Sequence, residues 1–264
     1  MAVIETQKLT RCFNSLKAVN GISFSIEPRE IFGLLGPNGA GKTTTIKMLT
    51  TLLPPTSGIG LVAGFDICKQ PAKVRRVVGY VPQFISADGT LTGYENLLIF
   101  AKLYDIPSKE REKRIHAAME FMGLEKSAHK LVRQYSGGMV RRLEIAQSIL
   151  HRPEVLFLDE PTIGLDPNAR HIVWEHIRQL QKEYGTTILL TTHDMEEADS
   201  LCDRVAIMNQ GVIATIGKPA DLKASLHKPE ATLDDVFIYI TGGSIEGGDL
   251  RDTVRTRRVA RRLG

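Results

Sequence analysis

At 264 residues and 42% hydrophobic side chains, the chain can bury a sizeable core as one large domain or two small ones, which excludes a disordered or fibrous polymer. It has no run near the roughly 20 apolar residues of a bilayer-spanning helix, and Met1 to Leu9 lack the basic-then-apolar order of a secretory leader, so the chain is expected in the cytoplasm unless a partner holds it at a membrane. The net charge of +4 comes from residues 251–264, where six arginines face one aspartate; the near-neutral remainder excludes the broad basic surface that binding a nucleic-acid backbone requires.

Along the chain, the alternation of Ile22, Phe24 and Ile26 within residues 3–26 predicts half-buried antiparallel strands. Ile31 to Leu35 is a short apolar run, Gly36 to Gly41 a glycine-rich loop, and Lys42 to Leu52 a helix stopped by Pro54-Pro55. Arg76 to Val81 reads as a strand. Thr92 to Gly123 carries apolar residues at helical intervals and breaks at Pro107, which predicts a helical insert. Alternation then returns: strand Val155 to Leu158, helix Pro167 to Glu183, strand Thr186 to Leu190, helix Met195 to Leu201. That order predicts an α/β fold with a parallel sheet. Val205 to Met208 and Val212 to Ile216 flank Asn209-Gln210-Gly211, a hairpin signal. The main unit is expected to span residues 1–228, with the helical part at about 88–150 and an extension at 229–264 that ends in the arginine-rich tail. Cys12, Cys68 and Cys202 lie too far apart for a metal-type pair and read as reduced thiols.

Gly36-Pro37-Asn38-Gly39-Ala40-Gly41-Lys42-Thr43 fits the phosphate-binding loop: glycines let backbone amides turn inward around phosphate oxygens, and the following helix adds its positive end. Lys42 is placed to reach the terminal phosphates and Thr43 to hold a magnesium ion. Val155-Leu156-Phe157-Leu158-Asp159-Glu160 is a buried strand that delivers two carboxylates at its carboxyl end, where parallel sheets bind ligands. Asp159 suits the magnesium shell and Glu160 a general base. The alternative for that pair is a solvated strand end, and the phosphate loop decides against it.

Tyr135-Ser136-Gly137-Gly138-Met139 resembles the signature sequence of ATP-binding cassette proteins. The order of phosphate loop, Gln83, signature, Asp159-Glu160, Gly164-Leu165-Asp166-Pro167 and His193 reproduces that family over residues 1 to about 220. The resemblance implies a P-loop NTPase cassette with a RecA-like core, an antiparallel β subdomain and an α-helical subdomain. It also implies an ATPase, with ATP and Mg2+ as ligands. The residues it assigns to catalysis are Glu160, His193 and Lys42. Those assigned to nucleotide are Phe13, Gly36, Pro37, Asn38, Gly39, Ala40, Gly41, Lys42, Thr43, Thr44, Gln83, Ser136, Gly137, Gly138 and Asp166. Thr43, Gln83 and Asp159 are assigned to the metal. Phe13 stands in the adenine-stacking position, with plain core as the lesser alternative; Asp166 also reads as a helix cap ahead of Pro167.

In the resembled family the signature binds ATP held by the opposite subunit, so the expected partners are a second copy of the chain or a paralogous cassette, and an integral membrane permease. The expected place is the cytoplasmic face of the membrane. The rival is a soluble cassette ATPase of DNA repair or translation, but the 52 residues between Gln83 and Ser136 carry no sustained heptads and no cysteine pair for zinc. Leu233-Asp234-Asp235-Val236-Phe237 and the arginine-rich end resemble exporters of the daunorubicin-resistance type, which implies export of drugs, lipids or polysaccharides. The tail itself reads as a solvated end or as a tether to anionic lipid.

Overall fold

In chain order, β1 (Ile4–Phe13) and β2 (Leu16–Ile26) form a hairpin, and β3 (Ile31–Leu35) leads through the glycine loop into α1 (Lys42–Leu49). Then come β4 (Ser57–Val62), β5 (Phe65–Asp66), α2 (Pro71–Val77) and β6 (Val78–Val81). A helical block of α3 (Gly93–Leu103), α4 (Ser108–Phe121) and α5 (Gly137–Ile149) precedes β7 (Val155–Asp159), α6 (Pro167–Tyr184), β8 (Thr187–Thr192) and α7 (Met195–Leu201). The hairpin of β9 (Arg204–Asn209) and β10 (Val212–Gly217), then α8 (Pro219–Ala224) and α9 (Leu233–Thr241), complete it. This computed structural model describes residues 2–242; the rest of the expected extension, with its arginine-rich tail, lies outside the described residues.

Two sheets organise the molecule. One is antiparallel, in the order β2-β1-β4-β5; the other runs β10-β9-β3-β8-β7-β6, with parallel pairing from β9 to β6 and β10 antiparallel at the edge. All five residues of β3 and all five of β7 are buried, as expected for parallel strands covered on both faces. The two-residue period of a strand sorts their side chains between two cores. Ile31 and Leu35 of β3, with Leu156 and Leu158 of β7, meet the helices. Phe32 and Leu34, with Val155 and Phe157, meet α1, α2 and the antiparallel sheet. Phe24 stacks on Phe32 at 5.6 Å and ties the two sheets together. Gly33 allows a close approach in this layer: a Cβ there would lie 2.7 Å from Sγ of buried Cys202.

The structure corrects two predicted elements. Arg76 and Val77 are not strand: they close α2, which starts with Pro71 in its first turn and buries only Val74, and the strand begins at Val78. Similarly, α1 stops at Leu49 rather than Leu52, because Thr51 turns into the left-handed region at φ 63°. In the helical block, Thr92 and Glu95 form a reciprocal capping box at the start of α3, and Pro107 marks the break before α4. At the far end α9 docks Leu233, Val236 and Phe237 into the core beneath the helices. No helix among the described residues is long and apolar enough to cross a membrane.

Candidate functional site

Parallel pairing of β3, β8 and β7 brings the loops after their carboxyl ends to one edge: the glycine loop, His193 and the Asp159-Glu160 pair. The glycine loop needs its small residues for two different reasons. At Gly36 a Cβ would lie 2.1 Å from the Met208 carbonyl oxygen, whereas Gly39 has open space but φ 81°. Gly41 combines both, with φ 104° and the Ala18 carbonyl 2.5 Å from a Cβ, and it caps α1 without any side-chain hydrogen bond. The amides that open α1 are therefore left for a ligand, and the helix dipole favours an anion there.

Lys42 folds back under this loop. Its Nζ donates to the carbonyls of Gly36 at 2.7 Å and Pro37 at 3.0 Å, and it lies 3.3 Å from Oε1 of Glu160, both side chains being almost fully buried. Oε2 of Glu160 meets Nδ1 of His193 at 2.9 Å. Glu160 itself stands at φ 49°, and its amide is fixed by donation to the Thr191 carbonyl and Oγ1. Burial pushes the Glu160 carboxyl up, but the His193 hydrogen bond and the Lys42 charge together outweigh it and hold the group below its ordinary value. His193 is raised by that same hydrogen bond, against burial. Lys42 is lowered by burial, against the pull of Glu160 and Asp159. The carboxylate is therefore ionised at neutral pH, the form that can accept a proton, and its basicity would rise towards that of a working general base if Lys42 turned to another anion.

Asp159 is 1% exposed. Its Oδ1 accepts hydrogen bonds from Thr191 at 2.6 Å and from Thr43 at 3.0 Å, while Oδ2 is buried without a hydrogen-bond partner. A buried, unpaired carboxylate oxygen is costly, and beside the Thr43 hydroxyl it fits a hard divalent cation that takes oxygen ligands. Burial raises Asp159 above its ordinary value, against the two threonine hydrogen bonds, and a bound cation would relieve that penalty. No cluster of three or more His, Cys, Asp and Glu side chains with metal-binding geometry occurs among the described residues. A cation here would rely on one carboxylate, a hydroxyl and oxygens brought by the ligand.

Gln83 follows the carboxyl end of β6, neighbour to β7 in the sheet, and its side chain is half-buried. Ser136, Gly137 and Gly138 open α5. Ser136 Oγ accepts from the Met139 amide at 3.3 Å, and Ser136 and Gly137 are exposed. A Cβ on Gly138 would come within 2.9 Å of Ala169, and one on Gly137 within 3.4 Å of Leu165, so these glycines also permit close approach to the start of α6. Asp166 caps α6 through its Oδ1 and the Ala169 amide at 3.0 Å. Phe13, at the tip of the β1–β2 hairpin, is 42% exposed, with the Arg11 guanidinium 4.7 Å above its ring. It is not core.

Three features of the site escaped sequence reasoning. Thr191 joins Asp159 to the backbone of Glu160. Buried Glu197 accepts from Thr162 at 2.7 Å and from Trp174 at 2.9 Å. Arg170 pairs with Asp194 at 2.5 Å. The last two link Thr162 and α6 to the segment after His193. A threonine inside a strand gives no signal of its own, but Asp194 and Glu197 three apart at a helix start are a capping pattern that could have directed attention there.

The ABC transporter family matches residues 19–163. Among curated relatives, the daunorubicin/doxorubicin resistance ATP-binding protein DrrA of Streptomyces peucetius is 44% identical over 84% of this chain and 67% of its own length. The Nod factor export ATP-binding protein I of Burkholderia thailandensis is 44% identical over 90% of this chain and 77% of its own. A solved ATP-binding subunit of an ABC transporter superposes with a TM-score of 0.80 at 29% identity, over 90% of this chain and 99% of that one.

Proposed function

Because this chain belongs to the ATP-binding cassette transporter family, and is an ATPase of that family, we propose that it powers an exporter. It works head to tail with a second copy of itself or a paralogous cassette, and drives a separate membrane permease from the cytoplasmic face. Two relatives named for drug resistance and for Nod factor export support export as the direction, and drugs, lipids or polysaccharides as the cargo class.

In this reading ATP lays its phosphates into the amides of Asn38, Gly39 and Gly41 to Thr44, and Lys42 exchanges its two carbonyl partners for phosphate oxygens. Thr43, Asp159 and Gln83 would hold magnesium, which when bound would supply positive charge beside the terminal phosphates. Glu160 accepts the proton of the attacking water. His193 orients that carboxylate and contacts the terminal phosphate. Phe13 offers a ring face to adenine. Ser136, Gly137 and Gly138 present a hydroxyl and amides to ATP on the opposite subunit, and Asp166 meets that subunit beside them. The exposure of Ser136 and Gly137 supports a site completed from outside.

The observation that carries the reading is the convergence of Lys42 and His193 on the buried carboxylate of Glu160, next to Asp159 with its unpaired oxygen. Substituting Glu160→Gln is expected to cut ATP hydrolysis by about 10²–10⁴-fold while ATP still binds, so that an ATP-dependent dimer accumulates in size-exclusion chromatography. Hydrolysis at the wild-type rate would remove Glu160 as the base.

A further inference from the structure

The amino edge of the parallel sheet, opposite the nucleotide edge, holds a cavity of about 160 Å³. Arg152 stands there shortly before β7, and Thr186 directly before β8. The walls come from the end of α4 (Phe121), the end of α5 (Ile149) and the end of α6 (Tyr184), so the cavity lies between the helical block and a helix of the core. The rings of Phe121 and Tyr184 meet edge to face at 5.4 Å, and Tyr184 is 54% exposed. Arg114 and Arg152 are the charged side chains on the wall, and no carboxylate among the described residues lines it.

The two arginines differ. Arg114 is already engaged: its guanidinium binds Glu110 at 2.6 Å and the Leu150 carbonyl at 3.3 Å. The side chain of Arg152 has no hydrogen bond or ion pair among the described residues. Its backbone stands at φ 58° and closes the turn after α5, with its amide donating to the Ile149 carbonyl. That conformation favours glycine or asparagine, so the turn does not call for an arginine. Thr186 is 5% exposed, and its hydroxyl likewise lacks a hydrogen-bond partner among the described residues, a desolvation cost that a ligand would relieve. Apolar cavities of about 150 Å³ accept a benzene-sized ring, and a few convergent polar groups on an apolar wall decide which ligand is held. The unmet groups here are a cation and a hydroxyl, which together complement a carboxylate.

We propose that this cavity binds a small aromatic carboxylate, its ring packed against Phe121 and Tyr184 and its carboxylate held by Arg152 and Thr186. The ligand bridges α4 and α5 to α6 on the side away from ATP, and so stabilises the folded chain by mass action. No residue of the nucleotide site takes part, so the site does not depend on export being the chain's work.

The probe is benzoate, titrated into the full chain and followed by calorimetry and by the methyl resonances of Ile149. Saturable one-to-one binding is expected, with a dissociation constant of about 1 mM or tighter, a shift of the Ile149 methyls and a rise in melting temperature. Acetate carries the charge without a ring and benzamide the ring without a charge, and each should bind at least about tenfold more weakly. Arg152→Gly suits the left-handed turn, so the free chain should keep or raise its melting temperature, while benzoate binds about 10–100-fold more weakly. No saturable binding, or binding that leaves the Ile149 methyls unmoved, overturns the site. Equal affinity in Arg152→Gly overturns the grip on the anion, and hexanoate binding as tightly as benzoate overturns the aromatic class. Displacement of benzoate by ADP places the probe in the glycine loop and overturns the site as well.

Discussion

The N-termini of α1 and α5 are built from the same materials, glycines and a hydroxyl residue, and serve differently. At α1 the cap is Gly41, left-handed and without a side-chain bond to the helix amides, and the first helical residue is a buried lysine. At α5 the cap is Ser136, which satisfies the Met139 amide itself, and no charged side chain occupies the first turn. The first terminus carries its own cation, balanced by Glu160, and leaves its amides for an anion. The second is partly satisfied, neutral and exposed. Charge and glycine geometry, rather than the helix end alone, separate a terminus with a cation and unbonded amides from one that is capped and neutral.

The largest test of this contrast is Lys42→Met, which strips the cation from the first terminus. ATP hydrolysis should fall by about 10²–10³-fold, the scale for removing one preorganised electrostatic partner, as read by phosphate release. Ser136→Ala should cost about 1 kcal/mol of stability in urea denaturation through the lost cap, and should also lower hydrolysis about 10–100-fold by denying the opposite ATP its hydroxyl. Mixing the Lys42→Met and Ser136→Ala chains sharpens the comparison. A head-to-tail pair joins one intact glycine loop to one intact signature, so activity should exceed that of either chain alone; a mixture no more active than its parts would break the dimer reading. The smallest effect is expected at α9, whose terminus is wholly self-capped by Thr232 and Asp235. The Lys228 hydrogen bond and the Thr232 amide hold Asp235 below its ordinary value of 3.8. Its contribution is therefore present above that value and lost as pH falls through the lower folded one. Asp235→Asn should flatten that part of the acid limb of stability, followed by circular dichroism against pH.

The sequence made legible whatever is encoded locally. The strand-loop-helix around Gly36 to Lys42 could be read because apolar run, glycines and lysine adjoin, and the start of α6 because Asp166-Pro167 is a cap followed by a first-turn proline. The hairpin after Asn209-Gln210-Gly211 announced itself in the same way. What remained hidden is long-range and polar. Arg141, Glu144 and Gln147 at three-residue spacing look like the wetted side of an amphipathic helix, and nothing in the string says that a loop some 60 residues upstream covers them. Arg76 and Val77 were read as strand because an apolar run beginning at Val77 masked the helix that Pro71 starts. The exposure of Phe13 likewise follows from where a hairpin ends in space, which alternation alone does not give.

Cys202 offers a built-in clock. Its sulfur is packed where a Gly33 Cβ would otherwise go, and burial drives its thiol well above the ordinary value, so a thiol reagent reaches it only when the seam between β3 and α7 parts. Cys68 is exposed and labels from the native fold. In one chain, then, the ratio of the two labelling rates reports how often the central sheet breathes, and nucleotide that tightens the carboxyl edge should slow one rate and leave the other where it was.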